Sequence, residues 1–114
     1  MTSLTRDALL SMTPEAKKVE VDGLGTVYLK PLSELLRSRR MAELHNEKGK
    51  IDKAAYEKRR AVMILDQVCD EKGELLFKQN ELNKILELDG MKLDKLVYAI
   101  IEFNEESEKK EAGE

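Results

Sequence analysis

Tryptophan is absent from this 114-residue chain, and cysteine and histidine occur once each, as Cys69 and His45. One cysteine rules out a disulfide within the chain. One cysteine with one histidine is too few for a zinc site of Cys and His ligands, which takes about four. No apolar run approaches the ~20 residues that cross a bilayer. The first eleven residues carry Arg6 and Asp7 and lack the apolar core of a signal peptide, so a reduced, cytoplasmic compartment is expected. Aromatics are scarce at 4%, but the hydrophobic set is 41%, too large for a wholly disordered chain even with 38% charged residues. The length suits a single domain.

Charge is present in both signs and is unevenly placed. Twenty basic and 23 acidic residues give a net charge of −3. Residues 37–60 hold nine basic and four acidic side chains, a local balance of +5, whereas residues 105–114 hold five Glu and two Lys. The last ten residues have one alanine as their only apolar side chain and nothing large to bury, which predicts a frayed helix end running into a disordered acidic tail at 105–114 behind a single domain at 1–104.

Along the domain, Thr5 can cap a short helix through Leu10. Val19 and Val21 alternate with charged residues, β-branched residues return at Thr26 and Val27, and Asp22-Gly23 is a turn signal between them. A β-hairpin at about 18–30 follows, with a four-residue connection, Asp22 to Gly25. Ser33 can cap a second helix reaching about Glu47, whose apolar stripe includes Leu32, Leu35, Leu36, Met41 and Leu44. Arg39 and Arg40 interrupt that stripe, so good packing is expected at its start and poor packing in its middle. Asp52 can cap a third helix to about Val68, with Ala61, Ile64, Leu65, Val68 and Cys69 on one face. Asp70-Glu71-Lys72-Gly73 reads as a turn. Helices at about 80–88, with Leu82, Ile85 and Leu86 inward, and 92–104, with Leu93, Leu96, Val97, Ile100 and Ile101 inward, complete the chain. The predicted fold is mainly α (α+β): a small domain of about four to five helices with one N-terminal hairpin, cored on Ile64, Leu65, Val68, Leu93, Leu96, Val97 and Ile100.

Catalytic chemistry is sparse, and no enzyme, cofactor or metal site is expected. His45 lies near a predicted helix C-terminus, where a cation is favoured. Cys69 ends an apolar stripe and reads as a small core residue. Gly23 and Gly25 lie in a hairpin, without the helix start that a phosphate-cradling loop needs. The clusters Arg37-Arg39-Arg40 and Lys58-Arg59-Arg60 can lie near one another if the second and third helices pack antiparallel. They then form a face for an acidic partner, or for nucleic acid, or a solvated surface. No aromatic interleaves them, which argues against stacking on single strands.

The order of Leu4-Thr5-Arg6-Asp7-Ala8-Leu9-Leu10, Val19-Glu20-Val21, Gly25-Thr26-Val27-Tyr28-Leu29, Leu32-Ser33, Asp70-Glu71-Lys72-Gly73, Leu76-Phe77 and Leu93-Asp94-Lys95-Leu96 resembles the tail assembly chaperones of long-tailed, siphovirus-type bacteriophages and prophages. The resemblance spans nearly all of 1–104. It departs at the hairpin turn, where family members often carry an aromatic and this chain has Leu24, and at the second helix, where Leu36 replaces the glutamate of a capping box. The resemblance implies a non-enzymatic factor in the bacterial host cytoplasm, absent from the mature virion. It would bind the tape measure protein, keep it soluble and help recruit tail tube protein, the latter through a longer frameshifted form. Weak homo-oligomers would help many copies line up on one partner. Candidate partner contacts are the hairpin edge at Val27 and Tyr28 and the basic face of Arg37, Arg39, Arg40, Arg59 and Arg60. The alternative is a small helical regulatory adaptor that binds nucleic acid through the basic 37–60 segment.

Overall fold

The computed structural model describes residues 3–111. The Thr5 hydroxyl accepts from the Ala8 amide at 3.1 Å and opens α1 (Arg6–Leu10), which leaves Leu9 and Leu10 exposed. Strands β1 (Lys17–Val21) and β2 (Gly25–Leu29) pair antiparallel with Val19 opposite Val27. Their connection is Asp22–Leu24, one residue shorter than the sequence predicts, because Gly25 joins the ladder opposite Val21. Gly23 takes the positive φ (+85°) that the Asp-Gly pair announces.

Ser33 accepts from the Leu36 amide and caps α2 (Glu34–Leu44); Asp52 accepts from the Ala55 amide and caps α3 (Lys53–Gln67). Helix α2 stops three residues short of the predicted Glu47. Asn46 supplies the reason: its Oδ1 accepts the Lys48 and Lys50 amides, its own amide donates to the Lys50 carbonyl, and the Asp52 amide returns to Leu44.

A third strand was not predicted. The apolar face of α3 runs through Val68 and Cys69 in sequence, but the helix ends at Gln67 and these two residues form β3 (Val68–Cys69), paired with Leu29 and Tyr28. The outer edge of β2 would otherwise leave backbone groups unpaired beside the core. The Lys30 amide extends the pairing by donating to the Gln67 carbonyl at 3.0 Å. The sheet order is β1-β2-β3, so β2 is central. The Asp70–Gly73 turn forms as expected, with Asp70 Oδ1 accepting from the Lys72 and Glu74 amides. A 3-10 turn at Gln79–Glu81 leads into α4 (Leu82–Leu86), and α5 (Gly90–Glu111) closes the described chain. The result is an α+β fold, with five α-helices and a three-stranded antiparallel sheet among the described residues.

The core lies where α3, α4 and α5 meet β2 and β3. Ile64, Leu65, Val68, Leu96, Val97 and Ile100 are buried as expected; Leu93 is half-buried against them. Leu29, Ala61, Ile85 and Phe103 join the same cluster. Leu86 and Ile101, predicted inward, are exposed; Leu86 is the last residue of the five-residue α4, and α5 turns Leu96, Val97, Ile100 and Phe103 to the core instead.

The acidic tail needs correction. Helix α5 continues to Glu111, so residues 105–111 are helical rather than disordered; residues 112–114 lie outside the described residues. Glu105 and Lys109 stand four apart in the favourable order, and Glu and Lys are good helix formers, so the helix extends without anything to bury. These turns matter to the core end of α5. A helix leaves its last four carbonyls without partners, and truncation at Asn104 would put Phe103 and Asn104 in that frayed turn. Asn104 exchanges two side-chain hydrogen bonds with buried Gln67, at 2.7 and 3.1 Å. Removing 105–114 should therefore cost about 1 kcal/mol, roughly 4–8 °C in melting temperature, whereas removing 109–114 should leave the melt unchanged. Differential scanning calorimetry on the two truncations checks this.

Candidate functional site: the cleft between the second and third helices

Helix α2 buries none of its residues. Leu36, Arg40 and Leu44, each four residues apart, form its half-buried face, while Leu35 and Met41 stand in solvent. The well-packed start expected from the apolar stripe is therefore not found. Arg40, which breaks that stripe in sequence, is the centre of the inward face.

Its partner is Asp66, near the end of α3 and only 1% exposed. Arg40 Nε donates to Asp66 Oδ2 at 2.7 Å and Nη2 to Oδ1 at 2.9 Å, a two-pronged contact; Nη1 donates to both oxygens of Glu43. Gln79 completes the group: its amide donates to Asp66 Oδ1 at 3.1 Å and its carbonyl accepts from Arg40. The hydrogen bond to Asp66 raises the Arg40 guanidinium pKa above its ordinary value, against the opposing effect of burial, with Glu43 adding to the rise. Arg40 is thus a fixed positive charge that ties α2 to α3 and to the Gln79 turn. That turn is itself stapled by Glu81, whose carboxylate accepts the Lys78 amide at 2.8 Å; this hydrogen bond, and then the Lys84 side chain, lower the Glu81 pKa.

Beside this network lies a cleft of about 610 Å³ between α2 and α3, with Gln79 and Leu82, the first residue of α4, also in its lining. Leu32, Leu44, Ala55, Val62, Met63 and Leu82 make its apolar lining. Arg39 stands on the α2 wall and Lys58 and Arg59 on the α3 wall. The charged lining comprises the cations Arg39, Arg40, Lys58 and Arg59 against the carboxylates Glu43 and Asp66, a net of two positive. Both carboxylates are held by Arg40, and among the described residues Arg39, Lys58 and Arg59 make no ion pair. Arg59 is nevertheless positioned: its guanidinium lies 3.8 Å from the centroid of the Tyr56 ring and donates to the Tyr56 carbonyl at 2.9 Å.

The structure divides the predicted basic face. Arg39 and Arg59 meet at the cleft. Arg40 is spent on Asp66, and Arg60 points away to α5, bonded to Asp94 and the Gly90 carbonyl. Arg37 is exposed on α2, outside the lining. Tyr28 does not lie on a free sheet edge, because β3 pairs with Tyr28 and Leu29; Val27 pairs with Val19 of β1 and lies beyond the reach of the two-residue β3. Both side chains are half-buried, and the Tyr28 hydroxyl donates to Glu71.

Cys69 is 2% exposed; burial pushes its thiol pKa up, and the thiol donates to the Tyr28 carbonyl. His45 caps α2, with Nδ1 3.1 Å from the Met41 carbonyl, one of the helix's terminal acceptors. Among the described residues no three His, Cys, Asp or Glu side chains converge on one point, and no helix is long and apolar enough to cross a membrane. The sequence reading missed Asp66 and Gln67 as buried groups. The available signal was their place between Ile64-Leu65 and Val68-Cys69, two polar residues inside an apolar run. The chain matches no protein-family model, no curated protein and no solved structure.

Proposed function

We propose that this chain is a non-catalytic assembly factor, a tail assembly chaperone of a long-tailed phage or prophage that holds the tape measure protein soluble until tail tube subunits are recruited. The observation that carries the reading is the cleft: an apolar floor with charged walls, lined on one side by a helix that buries none of its own residues. Such a groove suits an amphipathic helix laid along it. A long helical partner with apolar stripes self-associates unless those stripes are covered. The nucleic-acid alternative has less support, since the basic residues do not form one continuous face: Arg40 and Arg60 are paired with Asp66 and Asp94.

One chain of this size spans only a short stretch of a helix that rises about 1.5 Å per residue, so many copies would act on one partner. The test is co-expression with the product of the long helical-protein gene next to its own. The partner should stay soluble and co-purify with several copies of this chain. An insoluble partner, or a strict one-to-one complex, would reject the reading.

A further inference from the structure

We infer that the α2–α3 cleft takes a single amphipathic helix of the partner whose apolar stripe is flanked on both sides by Asp or Glu. The inference rests on the protein-binding reading above and adds the site and the chemistry of the segment it accepts.

The apolar lining sets the first requirement. Val62, Met63 and Leu44, all half-buried, line the groove, where a phosphate backbone would gain nothing and a stripe of Leu or Ile side chains would lose contact with water. No aromatic ring is among the lining residues to stack a base. From Ala54 to Asp66 the α3 wall is thirteen residues long, a rise of about 18 Å, which matches about three turns of a partner helix with anchors at i, i+3 or i+4, and i+7.

The charges set the second requirement. The cations stand on opposite walls, Arg39 on α2 and Lys58 with Arg59 on α3, so a helix lying between them meets positive charge along both flanks. The carboxylates that could neutralise them internally, Glu43 and Asp66, are already held by Arg40. Stacking on Tyr56 keeps Arg59 in place before any partner arrives, so less side-chain freedom is lost on binding. The same arrangement repels a helix with basic flanks, which gives discrimination as well as attraction.

Two synthetic peptides of about sixteen residues test this. They share one apolar stripe and differ only in having Glu or Lys at the flanking positions. Binding to the full chain is followed by fluorescence anisotropy at ~0.1 M salt, with circular dichroism confirming that each variant is folded. The Glu-flanked peptide should bind at least about tenfold more tightly than the Lys-flanked one. Lys58→Glu with Arg59→Glu should reverse that preference. Ala54→Trp, at an exposed position on the cleft wall, should abolish binding of both peptides by filling the groove. Equal binding of the two peptides, a preference that survives charge reversal, or binding that survives Ala54→Trp would each overturn the cleft as the site. Failure of both peptides to bind while co-expression still keeps the long partner soluble would overturn this inference and leave the assembly-factor reading standing. Failure of both tests, or salt-sensitive binding of duplex DNA in place of peptide, would overturn both.

Discussion

Replacing Ile100 by alanine should destabilise the chain by about 2–5 kcal/mol, towards the upper end of that range. Ile100 is 0% exposed and lies in the cluster with Leu29, Leu65 and Ile85, themselves 2% exposed or less. Those three members of the cluster come from β2, α3 and α4, so the space left by Ile100 would open in a core built from several elements, which resists closing by the shift of any one of them. A site that cannot collapse pays both the lost transfer of the side chain and the empty space. Against a total stability of ~5–15 kcal/mol, such a loss is a large share. The next residue supplies the control. Ile101 is 39% exposed, and Ile101→Ala should change stability by no more than about 0.5–1 kcal/mol. Urea denaturation separates the two: the midpoint should fall sharply for Ile100→Ala with little change in slope. Equal effects at the two positions would mean that α5 presents a different face to the core.

The helices and the hairpin were legible because their signals are local. Ser33 and Asp52 cap where their side chains can reach an amide three residues on, and Asp22-Gly23 turns because glycine accepts a positive φ. The features that were not legible depend on distant partners. Val68 and Cys69 continue an ideal helical spacing, yet they extend because Tyr28 and Leu29, some forty residues earlier, need strand partners. Helix α5 outruns the predicted boundary because charged residues at helical spacing sustain a helix that is already anchored at Ile100 and Phe103. The cleft follows the same pattern. Composition marked residues 37–60 as basic, but only the tertiary fold sorts Arg39, Lys58 and Arg59 from Arg40 and Arg60, since the sorting is done by Asp66 and Asp94.

Arg40→Ala should be about as damaging as a core deletion, at roughly 3–5 kcal/mol, although it removes no core hydrophobe. The loss comes from what remains. Asp66 is 1% exposed, and without the guanidinium its carboxylate keeps only the Gln79 amide as a donor from this network. A buried charge stripped of its counter-charge is far more costly than the intact pair is favourable. Arg40→Lys should lie between wild type and alanine, because a lysine keeps the charge but cannot make the two parallel bonds to Asp66 or reach Glu43 and Gln79 at once. The decisive comparison is Arg40→Met with Asp66→Leu. Removing both charges together should restore most of the stability lost in Arg40→Ala, since no unpaired charge is then left in the fold. The restored chain should still differ in the cleft. With Arg40 gone, Glu43 loses its partner and becomes a free carboxylate in the lining, but removing one charge of each sign leaves the lining at a net of two positive, so the double variant should fold well and still prefer acidic-flanked peptides. A loss below about 0.5 kcal/mol for Arg40→Ala would show instead that water reaches Asp66 and that α2 is held by Leu36 and Leu44 alone.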